Sequence, residues 1–304
     1  DLFSKSTLMF KTLSFIFILI VADIFASPQM PDYIVYKKDT IPTYNLILEQ
    51  YLQKQNSDEG KLFGLSFRGS EDVGVSLNCW RGYQAIYEVI NDKLYLTKII
   101  SCGELVDKTS INLDESTKKI NKLFGDKVQN NRVLIDWFSG VINFPQKVRN
   151  NKQIRWDGIF YRIYEYETVL EFNNGSLIKQ DEVHNYQKIP KAINRIDKNK
   201  VSDLLFKELK KMKLKNANDF DCGTKYFVTI NEKGSVSKVR MLYSDKEIEK
   251  YYEKGEYDFC VEKMLNALKD LKFDIIKDKG RPISEDIYIE IWQKENGKLE
   301  NWTH

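Results

Sequence analysis

The strongest constraint on the fold is a change of rhythm in the last third of the chain. Lys225-Tyr-Phe-Val-Thr-Ile230 alternates, Asn231-Glu-Lys-Gly234 supplies turn residues, and Ser235-Val-Ser-Lys-Val-Arg-Met-Leu-Tyr243 runs back. Period two sends successive side chains to opposite sides of a sheet, so this stretch reads as a hairpin. The rhythm then lengthens. Tyr257, Cys260, Val261, Met264, Leu265, Leu268 and Leu271 share one helical face, with Asp258 expected as the N-cap. Gly280-Arg-Pro282 breaks the chain, and Ile283–Trp292 returns to period two. Ile287, Ile289 and Ile291 point one way, and Tyr288, Glu290 and Trp292 the other. Upstream, Val201, Leu204, Leu205, Leu209 and Met212 make the apolar stripe of a helix near Val201–Lys213. Helix, hairpin, helix and strand predict an α+β domain over residues 200–296, its helix laid on one sheet face.

Residues 27–190 read as a second, antiparallel β-rich domain. Lys61–Arg68 has the spacing of a strand exposed on one side. Gly82–Ile90 and Lys93–Ile100 flank Asn91-Asp92, residues that accept positive φ, and read as a hairpin. A further pair, Ile159–Phe172 and Ser176–Lys179, turns at Asn173-Asn-Gly175, and Ser116–Phe124 reads as a short helix.

The N-terminus points to export. After Met9 come one cation, Lys11, an apolar run from Leu13 to Ala22, and small residues around Ala26-Ser27. These are the three parts of a secretory signal peptide, with cleavage expected after Ala26 and residues 1–26 absent from the mature protein. Asp23 stops the run short of the ~20 apolar residues a membrane anchor needs. The expected location is periplasmic or secreted. Cys79, Cys102, Cys222 and Cys260 allow three pairings in an oxidising compartment. Cys79–Cys102 and Cys222–Cys260 are preferred, since each stays in one domain and the first closes the ends of the Asn91-Asp92 hairpin. Four buried thiols are the alternative.

The stretch Tyr226–Ser244, the helix ending Ala267-Leu-Lys-Asp-Leu-Lys-Phe273 and the closing Ile287-Tyr-Ile-Glu-Ile-Trp292 resemble the C-terminal domain of TonB, a periplasmic protein of Gram-negative bacteria. The resemblance covers the last third of the chain. It implies contact with an envelope protein or peptide beside the final strand, by addition of a strand to an open edge. On that reading Ile287, Tyr288, Ile289, Glu290, Ile291 and Trp292 form the partner-binding edge, with Tyr288 and Trp292 as anchors. With six prolines in all, the chain has no long Pro-rich spacer, so the resemblance implies a fold and a mode of contact rather than energy transduction.

Other chemistries have weaker signals. A net charge of +3, from 47 cations and 44 anions, gives no concentration of positive charge for nucleic acid, and Lys207–Lys215 reads as a solvated helix face. No C-x-x-C accompanies His184 and His304, so neither a metal site nor a cofactor is expected. Glu165, Glu167 and Glu171 fall on one strand face and could be paired acids of an exported hydrolase, though a solvent-facing strand explains them better. His184, among polar neighbours, reads as a surface histidine. Trp80, Tyr83, Trp137 and Trp156 offer a different function, that of a secreted β-protein whose aromatic sheet binds carbohydrate or another surface polymer. The leading expectation is a non-enzymatic, exported interaction protein.

Overall fold

The computed structural model describes residues 29–54, 78–79, 81–105, 111–212, 214, 220–253 and 255–304. The expected signal peptide, the Lys61–Arg68 strand and Trp80 lie outside the described residues. The protein is mixed α+β and rich in strand. It divides into two units, one ending at Phe138 and including Trp156–Tyr161, the other holding Ser139–Arg155 and Arg162–His304. The stretch 190–200, between the two expected domains, lies inside the second unit, which also takes the Asn174-Gly175 hairpin.

In the first unit, β1 (Asp32–Tyr36) and β2 (Asp39–Thr43) form a hairpin, followed by helix α1 (Ile47–Lys54). Strands β3 (Tyr83–Ile90) and β4 (Lys93–Ser101) pair antiparallel around Asn91 and Asp92, whose φ values of 48° and 58° suit the tight turn. Helix α2 (Leu113–Phe124) begins at Asn112, whose side chain accepts the Glu115 N–H. Strands β5 (Val128–Gln129) and β6 (Arg132–Leu134) close a small hairpin beside β4. The sheet is not purely antiparallel. β1 runs parallel to β3, with Tyr33 opposite Ile86, because the chain between β2 and β3, α1 included, is long enough for the crossover a parallel pair requires. Ile34, Leu48, Tyr87, Leu94, Leu96 and Ile99 are its closed core.

In the second unit, β7 (Gly140–Pro145) flanks β10 (Tyr166–Asn173), which turns into β11 (Ser176–His184). The short strands β8 (Gln153–Trp156) and β9 (Arg162–Tyr164) lie between in sequence. The expected long strand Ile159–Phe172 is therefore broken at Glu165, whose N–H turns away to the Lys152 carbonyl at 2.8 Å. β12 (Tyr186–Gln187) leads to α3 (Lys198–Leu209), capped by the Asp197 carboxylate on two backbone N–H groups. Then follow β13 (Lys225–Ile230), β14 (Val236–Met241), α4 (Asp245–Tyr251) and α5 (Glu256–Leu268). Gly255, at φ 84°, occupies the N-cap of α5. Asp258 therefore sits inside the first turn, where it favours the helix dipole rather than capping. β15 (Ile275–Asp278) and β16 (Arg281–Pro282) make a small hairpin, and β17 (Glu285–Gln293) and β18 (Leu299–Asn301) finish the chain.

The C-terminal sheet has the order β14-β13-β17-β18, all antiparallel. One face meets α3 and α5. Val201, Leu205 and Leu209 from α3 and Met264 and Leu268 from α5 close over Tyr226, Val228, Val239, Ile287, Ile289 and Ile291. Burying one such aliphatic side chain contributes about 1.5–3 kcal/mol, so this layer is the principal stabilising feature of the region.

Candidate functional site

The side of the sheet turned from α3 and α5 carries the other half of the period-two pattern. Phe227 on β13 and Tyr288 on β17 meet edge to face with ring centroids 6.0 Å apart, and the Arg240 guanidinium lies 4.3 Å from the Phe227 centroid. Further along β17, Trp292 stacks on Trp302 at 5.2 Å and 18°. Their exposures of 47% and 54% decide that this pair is not core. The surrounding charges neutralise one another: Arg240 with Asp286 at 2.9 Å, Lys225 with Glu290 at 3.8 Å, and Lys294 with Glu300 at 2.5 Å. The Tyr288 hydroxyl donates to Glu290 at 2.5 Å. Burial first, and this acceptor second, push its pKa up to about 12. The result is a charge-balanced face with an aromatic track, suited to a partner held by stacking and apolar contact.

The structure corrects the geometry expected of Ile287–Trp292. Ile287, Ile289 and Ile291 are buried and Tyr288, Glu290 and Trp292 face outward, as the alternation requires. Their strand, however, is not an open edge along its C-terminal half. β13 lies on one side, and on the other β18 pairs Ile291 with Asn301, Trp292 with Glu300 and Gln293 with Leu299. The Trp302 N–H reaches the Glu290 carbonyl at 2.8 Å, and the Glu290 N–H reaches Thr303 Oγ1 at 3.0 Å. The chain's last residues occupy the place of an incoming strand. Among the described residues the sheet ends at β14, paired only with β13, and at β18, paired only with β17. Trp302 escaped the sequence reading because it follows the Gly297 turn and belongs to no long alternating run.

Both preferred disulfides are present, Cys79–Cys102 and Cys222–Cys260, with Cα separations of 6.3 and 5.4 Å. The three strand glutamates stand in three different surroundings. Glu165 sits at the chain break beside the exposed His184, 3.3 Å away, and Glu171 is solvent-facing. Glu167, expected in solvent, is fully buried. Its Oε1 accepts from Asn143 Nδ2 at 3.1 Å and the Tyr164 N–H at 3.0 Å, and its Oε2 from Asn185 Nδ2 at 2.8 Å. Burial raises its pKa and these donors restrain the rise. That is a satisfied structural carboxyl, since buried polar groups need such partners. Of the aromatic residues proposed for carbohydrate, the three described ones do not share an exposed surface. Tyr83 is buried with its hydroxyl on Glu49, Trp137 packs on Tyr51 and Phe124, and Trp156 alone of the described three is exposed.

Two buried charge clusters escaped the sequence reading, because their members lie far apart in the chain. Arg155 grips Glu285 with Nε and Nη2 at 2.5 and 2.6 Å, and Lys198 approaches the same carboxylate at 2.9 Å. The fully buried Arg195 lies 3.4 Å from Glu285 and donates to the Ile230 carbonyl at 3.3 Å, while its Nη1 has no hydrogen-bond partner among the described residues. Burial opposes ionisation of Glu285, but Arg155 and then Lys198 outweigh it and lower its pKa. In the first unit, Arg81 Nη1 bridges Asp32 and Glu49, each at 2.9 Å. Among the described residues, no group of three His, Cys, Asp or Glu is placed to hold a metal ion. No helix of the described residues is long and apolar enough to cross a membrane. In comparisons with known proteins, no family model, curated protein or solved structure matches the chain.

Proposed function

We propose that this chain is an exported, non-enzymatic interaction protein that holds an envelope protein or peptide on the aromatic face of its C-terminal sheet. The half-exposed Trp292–Trp302 stack carries this reading. Large aromatic side chains left in water on a sheet face that two helices do not cover are the usual anchors of a protein interface. Both disulfides suit an oxidising compartment. The resemblance of residues 200–296 to the TonB C-terminal domain supports the same class of partner. With β18 seated beside β17, the anchors offered are side chains. A partner strand could pair at Glu290–Gln293 only if β18 left.

The reading is tested by photo-crosslinking in the native envelope, with a photoreactive residue replacing Trp302, and Lys238 as the control position. One discrete adduct at position 302, absent at 238 and lost when Trp292→Ala is added, is the expected outcome. No adduct at 302, in protein whose thermal unfolding matches the parent, would overturn it. Intact mass of the same protein, starting at Ser27 with all four cysteines unreactive until reduced, is the expected signature of export.

A further inference from the structure

A groove separate from that face lies elsewhere in the second unit. The β15–β16 hairpin overhangs one face of the β7-β10-β11 sheet and leaves a groove of about 550 Å³, within the ~300–1,000 Å³ usual for small-molecule sites. The overhang is built into the fold. Asn185, held by the buried Glu167, accepts the Gly280 N–H on Oδ1 at 2.9 Å and the Lys277 N–H on its carbonyl at 2.7 Å. The turn at Lys279-Gly280 has φ values of 49° and 79°. A Cβ at position 280 would come within 3.1 Å of Val183. The hairpin tip is thus seated against β11 rather than waving above it.

The groove has an apolar floor, from Val141, Val169, Val183 and Ile283, and a charged rim. On that rim Lys179 pairs with Asp181 at 2.5 Å and Lys279 with Asp278 at 3.4 Å. Glu171 and Arg281 remain, and among the described residues neither forms an ion pair. An anion alone would leave Glu171 facing further negative charge, and a cation alone would do the same to Arg281. An uncharged apolar ligand would strip water from both. A ligand carrying both charges, with an apolar body between them, satisfies rim and floor together.

We propose that this groove binds a short apolar peptide with free termini, its carboxylate on Arg281 and its ammonium on Glu171. The site is separate from the Trp292–Trp302 face, so either assignment can fail without the other. The test is isothermal titration of the full chain with Leu-Leu, accompanied by methyl shifts of Val141, Val169 and Val183. N-acetyl-Leu-Leu and Leu-Leu amide serve as controls. Saturable binding of Leu-Leu is expected, weakened roughly tenfold by blocking either terminus. Arg281→Gln and Glu171→Gln, both at exposed positions and so expected to fold, should each give a similar loss. Arg281→Gln should abolish the preference for a free carboxylate, and Glu171→Gln that for a free amine. No saturation by about 10 mM, equal binding of the blocked peptides, or indifference to both substitutions would overturn the proposal.

Discussion

Asp32 shows what a single buried carboxyl can do to the behaviour of this protein. It is 1% exposed, accepts the Ala85 N–H at 2.8 Å and shares Arg81 with Glu49. Burial raises its pKa, Arg81 opposes the rise, and the balance stands at about 6. Because the folded value exceeds the unfolded one, the folded state binds the extra proton. Its contribution to stability is therefore complete below about pH 4 and lost as pH rises through about 6. In Asp32→Asn, urea unfolding across that window should lose this pH-dependent decline, whatever the offset caused by the lost Arg81 contact. An unchanged slope from pH 4 to 6 would show that Asp32 is not the titrating group.

At the scale of the element, the β13–β14 turn is fixed by one glycine. Gly234 has φ +70°, and a Cβ there would lie 2.1 Å from the Phe273 carbonyl oxygen. The Phe273 N–H in turn donates to the Gly234 carbonyl at 2.8 Å. Gly234→Ala combines a left-handed backbone with a backbone clash and should destabilise by about 3 kcal/mol or more, measured as a lowered urea midpoint. This hairpin was readable because its alternation, its turn and its partner strand are contiguous or strongly patterned. β14, β13, β17 and α5 follow period and polarity closely for that reason. β18 was not readable, since three residues cannot show a period, and its pairing with β17 depends on the fold. That one short strand reverses the inference about the edge while leaving the inward and outward residues of β17 as expected. Likewise, Glu167 and Glu171 share a strand face and differ in burial, because Asn143 and Asn185 arrive from elsewhere in the chain.

For the molecule as a whole, the cysteines staple each unit internally. Cys79–Cys102 closes a separation of 23 residues and Cys222–Cys260 one of 38. Chain-entropy reasoning gives each about 3–4 kcal/mol. A Cys222→Ser, Cys260→Ser variant should lose about that much in chemical denaturation, and hydrogen exchange should show the lost protection concentrated in β13, β14, α5 and β17. A Cys79→Ser, Cys102→Ser variant should spare those amides and deprotect β3 and β4. Equal loss throughout in both variants would contradict this assignment. The seating of β18 has another consequence, for solubility. With β17 covered through Glu290–Gln293, the edges of the C-terminal sheet among the described residues are the three-residue β18 and the longer seam, β14. The exposed Lys238 lies midway along β14. Two copies approaching β14 to β14 would bring their lysines together, so the arrangement discourages the chain from polymerising through that edge.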